Sequence, residues 1–329
     1  MKTDHILPLI LVVIVLGSCT KTIDFEEGDT EQQIIVNSIL CPDSTFKVML
    51  TKSQSILTNY YHEMVSNAEV TLFEDGAEVG LATEEAGYYK IAGFKPGAGK
   101  SYQLKIVAGE KQLQAETTIP QPVEMLETDT STVKDEWGGE DMNIDLKFKD
   151  PSGEDYYRIS VFQEQLYRSG NQDGSTSYYL NKTSYNFNAN DPVFKSLYSN
   201  FGGGDWDIGP ENDYTIFPDD LFNGKEYHIQ IKTRFLSYSY PGMIYQKYII
   251  HFQKISKDMF NFLKYSNLYD YYHDDPFSEP VPVYSNIQNG SGILAGLNDE
   301  NPICIEKVFQ PYSMDTIQLT DREYGGYGY

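Results

Sequence analysis

Residues 69–106 read EVTLFEDGAEVGLATEEAGYYKIAGFKPGAGKSYQLKI. Val70/Leu72, Tyr89/Ile91 and Tyr102/Leu104/Ile106 recur at every second position, the period that sends alternate side chains to opposite faces of a β-strand. Asp75-Gly76, Gly87 and Pro96-Gly97 interrupt the alternation with the residue types that tight turns require. Upstream, Ile34-Ile35-Val36 and Phe46/Val48/Leu50 repeat the pattern. Short strands at this spacing predict that residues 33–120 form an immunoglobulin-like or transthyretin-like β-sandwich. Pro120-Gln121-Pro122 ends it, because proline cannot donate to a sheet ladder.

Residues 121–329 resume the alternation at Ile144/Leu146/Phe148, turn at Asp150-Pro151-Ser152-Gly153, and return through Tyr157/Ile159/Val161. Tyr227/Ile229/Ile231 and Tyr248/Ile250/Phe252 continue it, so this part is expected to be a second β-rich sandwich domain. Between them, residues 169–224 are rich in Gly, Asn, Asp, Ser and Tyr, which predicts a long loop-rich insertion with little regular structure. Ser256 has the chemistry of an N-cap for one helix, from Lys257 to about Tyr272, with Met259, Phe262, Leu263 and Tyr269 at helical spacing. The expected fold class is mainly β. About 310 residues beyond the leader described next exceed what one core usually serves, so two domains are the expectation.

The N-terminus carries a different signal. Met1-Lys2 precedes an apolar run from Ile6 to Leu16 and then Gly17-Ser18-Cys19, the layout of a signal peptide over residues 1–18 rather than of a spanning helix. Leu16-Gly17-Ser18-Cys19 resembles the bacterial lipobox, in which the cysteine is acylated; the alternative is an ordinary secreted protein with an incidental Cys19. Residues 19–32 are polar and acidic and read as a lipidated tether. Two other cysteines remain, Cys41 and Cys304. They are either a disulfide or two buried thiols.

The chain has 48 acidic and 25 basic residues and a formal net charge of -23. Such a surface repels nucleic acid and anionic lipid alike, so no nucleic-acid partner is expected.

Several segments together resemble a known family: the lipobox and acidic tether, IIVNSILCPDSTFKVMLTKSQSI from Ile34, NAEVTLFEDG from Asn67, GYYKIAGFKPGAGKSYQLKI from Gly87, FPDDLFNGKEYHIQI from Phe217 and DPFSEPVPVYSNIQNGSGILAGLN from Asp275. The chain looks like a Bacteroidota outer-membrane lipoprotein family that carries a domain of unknown function, with similarity from about Cys19 to Asn298. The resemblance implies placement at the outer membrane, and genes commonly beside those of TonB-dependent receptors. It brings no catalytic or ligand residues. The family's Gly-Leu-Gly-like run is replaced here by Gly290-Ser291-Gly292. Asp43-Ser44-Thr45 and Asp315-Thr316-Ile317 resemble the O-glycosylation sequon of Bacteroidota envelope proteins.

Motifs that could carry chemistry are sparse. Gly97-Ala98-Gly99-Lys100-Ser101 resembles the end of a phosphate-binding loop, but the required first glycine is Phe94 and the segment leads into a strand, so a tight turn is expected. His62, His228 and His251 stand alone, and His273 has only Asp274 and Asp275 beside it, short of a zinc ligand set. No cofactor signature and no Gly-x-Ser-x-Gly elbow is present. Asp205, Asp207 and Asp213 are weak calcium candidates, together with Glu211, Asn212, Asp219-Asp220 and the pair Asn171/Asp173; solvated loop carboxylates are the simpler reading. Tyr178, Tyr179, Trp206 and Tyr214 have the aromatic chemistry of partner or glycan contacts.

The expectation that follows is a lipid-anchored, non-catalytic accessory or binding protein of the outer membrane, facing the periplasm or the cell surface and partnering a β-barrel receptor. The alternative is a carbohydrate-active enzyme using paired carboxylates, which are defined by spatial separation and not by sequence spacing.

Overall fold

The computed structural model describes residues 31–42, 44–54, 62–134, 140–170, 174–185, 187, 191–199, 210–235, 241–273, 279–299 and 302–311. The chain divides into two compact units, Met1–Gln32 with Gln54–Tyr61, and Gln33–Ser53 with His62–Tyr329. The sheets belong to the second. The leader, Cys19 and the tether as far as residue 30 lie outside the described residues.

The protein is mainly β. Its strands are β1(Ile34–Leu40), β2(Lys47–Lys52), β3(Glu69–Glu74), β4(Ala77–Leu81), β5(Thr83–Glu85), β6(Tyr88–Lys90), β7(Ser101–Ala108), β8(Lys111–Thr118), β9(Glu124–Lys134), β10(Glu140–Lys149), β11(Tyr156–Gly170), β12(Thr176–Tyr185), β13(Ile216–Pro218), β14(Glu226–Phe235), β15(Met243–Ile255), β16(Ser291–Asn298) and β17(Ile303–Val308). A short helix α1(Pro192–Lys195) and a longer one, α2(Lys257–Tyr272), complete them.

One sheet follows the path β12-β11-β15-β16-β1-β2-β6-β5, with β13 added to β11 and β17 to β15. Two smaller sheets, β4-β3-β7-β8 and β14-β10-β9, supply opposing layers. The first core joins Val36, Leu50 and Tyr89 of the long sheet to Val70, Leu72, Leu104 and Leu113 of the four-stranded sheet. The second joins Tyr157, Ile159, Val161, Tyr248 and Ile250 to Ile144, Leu146, Phe148, Ile229 and Ile231. The alternating apolar residues are thus the ones that turn inward, as a half-buried strand requires.

The two cores are not sequential halves. β1 pairs antiparallel with β2 and parallel with β16, from Ile35↔Ser291 to Leu40↔Gly296. β16 also meets β15 at Lys254↔Asn298 and Ile255↔Leu297, so it joins the two halves of the long sheet. Residues 33–120 therefore hold only part of their own core: Ile287 and Leu294 come from the far end of the sequence.

Helix α2 packs on the other face of β16, where Met259, Phe260 and Leu263 meet Ile293, Ala295 and Leu297. Ser256 is its N-cap: the hydroxyl accepts from Met259 N at 3.2 Å and also from Gly296 N at 3.1 Å. One side chain thereby satisfies an orphan helix donor and a donor of the neighbouring strand.

Among its described residues, the loop-rich insertion is corrected. Within 169–224 the structure forms β12, α1, a 3-10 turn (Ser196–Tyr198) and β13, and Val193, Phe194, Phe217 and Phe222 are buried in the second core. Polar composition misled here because Thr and Tyr favour strands despite their polarity, and because a few well-placed phenylalanines suffice to anchor short elements. The cysteine expectations change too. Cys41 and Cys304 are not bridged; Cys41 is half-buried against the apolar cluster between α2 and β16, while Cys304 on β17 is exposed. No helix among the described residues is long and apolar enough to cross a membrane.

Candidate functional site

β10 ends in the turn that begins at Asp150, and β13 ends in the turn that begins at Asp219. Lys149 pairs with Glu226 across β10 and β14, and this register sets the two turns side by side. The Asp150 amide donates to the Lys225 carbonyl at 3.0 Å, and the Asp219 amide to the Asp155 carbonyl at 3.1 Å. Asn223 Nδ2 donates to the Gly153 carbonyl, while Gly153 N reaches Asn223 Oδ1 at 3.4 Å. Gly224 takes φ +71°, a left-handed conformation that glycine adopts without penalty, and its amide points at Asp150 Oδ2 over 2.7 Å.

This stitching gathers three carboxylates. Asp150, Asp155 and Asp219 each offer an oxygen, and these oxygens lie within 4.8 Å of one another. Asp150 and Asp219 are 1% and 2% exposed. Their surroundings differ. Asp150 accepts from the Tyr157 hydroxyl and from Gly224 N. Asp155 Oδ2 faces Lys254 Nζ at 2.8 Å, and that lysine is itself only 4% exposed. Among the described residues, the buried Asp219 Oδ2 has no hydrogen-bond partner. Burial, with the charges of Asp150 and Asp155 adding to it, raises the Asp219 pKa above the usual carboxylate range. Burial and the bond to Asp150 push the Tyr157 hydroxyl strongly up, so it stays a donor. The packed rings of Phe148, Tyr157, Phe217, Phe222 and Phe252 lie against the cluster's Tyr157 side, a low-dielectric setting in which charge is costly.

A second polar group lies on β11 and β15. His251 Nδ1 is 2.5 Å from Asp299 Oδ2, and Ser160 is the cross-strand neighbour of His251. Among the described residues the Ser160 hydroxyl makes no hydrogen bond, so the serine and the imidazole are not joined as a nucleophile and its base would be.

The residues singled out from the sequence are scattered. Tyr178 and Tyr179 lie on β12, a terminal strand of the long sheet among the described residues, paired with Arg168 and Tyr167; Tyr178 packs on Leu166, Ile244 and Tyr245. Tyr214 packs instead against the apolar cluster between α2 and β16, its hydroxyl 3.5 Å from Asp270. Asp213 is exposed, and its amide donates to Asn267 Oδ1; it joins no carboxylate cluster among the described residues. Trp206, Asp205, Asp207, Asn171, Asp173, Asp274, Asp275, Asp43 and residues 315–317 lie outside the described residues. Of the acidic residues considered for calcium, Asp219 alone enters the cluster among those described. Its companions were missed because Asp150 reads as a turn former, and only the β10–β14 register brings it to Asp219. The segment from Gly97 to Lys100 forms a turn into β7, with Gly97 N donating to the Tyr102 hydroxyl at 2.6 Å and Lys100 paired with Asp75.

A family model described as "Domain of unknown function (DUF4249)" matches residues 20–301. The chain belongs to that family. The match takes in both cores, β16 and the whole acidic cluster, while β17 (Ile303–Val308) follows it. Neither the curated proteins nor the solved structures gave a match.

Proposed function

We propose that this protein is a lipid-anchored, non-catalytic accessory of the outer membrane that works beside a β-barrel, a TonB-dependent receptor being the partner that the family resemblance suggests, in nutrient capture or surface-complex assembly. The observation that carries the reading is Leu16-Gly17-Ser18-Cys19, directly followed by the family match, which begins at residue 20. A lipid on Cys19 confines the body to the plane of a membrane, so a barrel in the same bilayer is met at high effective concentration and a modest interface suffices. β12 offers that interface: among the described residues it lies at one end of the long sheet, with Tyr178 and Tyr179 half-buried on it, and strand edges and tyrosines are favoured contact chemistry. The enzyme alternative gains nothing from the acidic cluster, since Asp150 and Asp219 are sealed from a sugar-sized substrate.

The test has two arms. Cys19→Ala is expected to leave washed membranes and appear as soluble protein; its retention would sink the anchor. Deleting 169–224 is not a usable control, because it removes Phe194, Phe217 and Phe222 from the core. The partner arm instead compares a C-terminally tagged wild type with Tyr178→Ala/Tyr179→Ala after mild solubilisation. Loss of a co-purifying barrel supports the edge strand as the contact, and an unchanged partner list rejects it.

A further inference from the structure

The Asp150/Asp155/Asp219 cluster poses a charge problem. Three carboxylates face one ammonium, Lys254, and that ammonium sits on Asp155 at 2.8 Å. The Tyr157 hydroxyl and the Gly224 amide are both spent on Asp150. Asp219 is left 2% exposed with Oδ2 making no hydrogen bond among the described residues, and an ionised oxygen so placed is strongly disfavoured unless a cation reaches it. Set against Lys254, the three carboxylates leave two negative charges over, which is the charge that one divalent ion would balance.

The donor set selects the ion. Every ligand atom is a carboxylate oxygen, with no imidazole or thiolate in the group, which suits a hard cation and not zinc or copper. The oxygens lie within 4.8 Å of one another; two oxygens on opposite sides of a calcium, at bonds of about 2.4 Å each, are that far apart. The scaffold is already fixed by backbone bonds between the two turns, so little ordering is left for the ion to impose.

We propose that Asp150, Asp155 and Asp219 hold one calcium ion, which cross-braces the turn after β10 to the turn before β14, with water completing its oxygen shell. Its role is structural: it closes one end of the second core. This goes beyond the anchoring and partner reading and does not depend on it. Asp219 is the ligand whose Oδ2 has no other partner among the described residues, so it is the residue whose loss separates ion binding from folding.

The test uses the full chain in detergent, stripped with a chelator, and titrated with calcium chloride by calorimetry and by thermal melting. One calcium per chain and a raised melting temperature are expected, with magnesium weaker. Asp219→Asn is expected to fold, shown by unchanged circular dichroism, to melt in chelator at or above the wild type because an unpaired charge is gone, and to weaken calcium binding at least tenfold. Terbium emission sensitised by Tyr157 should appear in the wild type and fall in Asp219→Asn. If millimolar calcium leaves the wild-type melt unchanged, or if Asp219→Asn binds calcium as the wild type does, the site is refuted and Asp219 is a protonated acid. Should Asp219→Asn not fold, the terbium signal of the wild type, with and without competing calcium, decides in the same way.

Discussion

At the scale of single residues, two side-chain types carry the consequences. Gly296 sits where a Cβ would overlap the Thr118 carbonyl oxygen and crowd the Ile119 backbone, and backbone cannot rotate away as a flexible side chain can. Gly296→Ala should therefore destabilise the fold by about 1–3 kcal/mol, the usual range for forced overpacking, read as a lower denaturant midpoint; an unchanged midpoint would show that β8 gives way freely. The tyrosines set an alkaline limit. Burial and the bonds to Asp191 and Asp258 raise the hydroxyls of Tyr227 and Tyr284 from 10.0 to about 12, and burial lifts Tyr102, Tyr156 and Tyr198 further. A group whose folded pKa is raised keeps its proton longer in the folded state, so the stability it lends is complete below pH 10 and is lost as pH rises towards the folded value. Tyrosinate absorbance should thus rise in two phases, exposed phenols near their ordinary pKa with ellipticity intact, and a second set only as ellipticity is lost. A single phase completed with native ellipticity would refute it. Gly296 could be seen in the sequence only as a small residue, because the clash that fixes it comes from a strand far away along the chain; tyrosine abundance was visible, but which hydroxyls are sealed was not.

At the scale of elements, what could be read depended on how each strand is buried. β7, with pattern eBiBeBei, and β1, with BiBiBiB, announce themselves because one face is wet and the period of two survives. β16 has the pattern iiBBBBBB: it is flanked by β1 and β15, covered by α2 on one face and by the first core on the other, and a strand buried on both faces shows no alternation. β12, TSYYLNKTSY, was hidden by polarity. The acidic cluster failed to show for a related reason, since Asp150 and Asp219 belong to two turns that only strand pairing brings together. Helix α2 was legible from its cap, and the cap carries more than a helix. Because the Ser256 hydroxyl serves both Met259 N and Gly296 N, Ser256→Ala should cost about 2 kcal/mol, about 1 from the lost N-cap and the rest from a buried amide left without its acceptor. Ser256→Thr should recover most of this; a loss under about 0.5 kcal/mol would mean that water replaces the hydroxyl.

At the scale of the whole molecule, the path of the long sheet makes the two cores dependent on each other. Proline-rich residues 120–122 and the period-two strands before them mark a boundary in sequence, yet β1 takes its second neighbour from β16, and Ile287 and Leu294 complete the first core. A fragment of residues 33–120 would leave one edge of β1 unpaired and remove two buried side chains. At roughly 1.5–3 kcal/mol for each side chain, plus the lost ladder, the deficit approaches the roughly 5–15 kcal/mol by which folded domains are stable at all. The fragment is therefore expected to show no cooperative thermal transition, while the full chain melts as one unit. Appending residues 285–298 through a Gly-Ser linker should restore a cooperative melt, because Asn286 then rebinds the Leu294 backbone and the Glu116 carbonyl and the parallel pairing with β1 can form. Cooperative melting of residues 33–120 alone, at the temperature of the full chain, would show that β16 is an addition to a domain already complete.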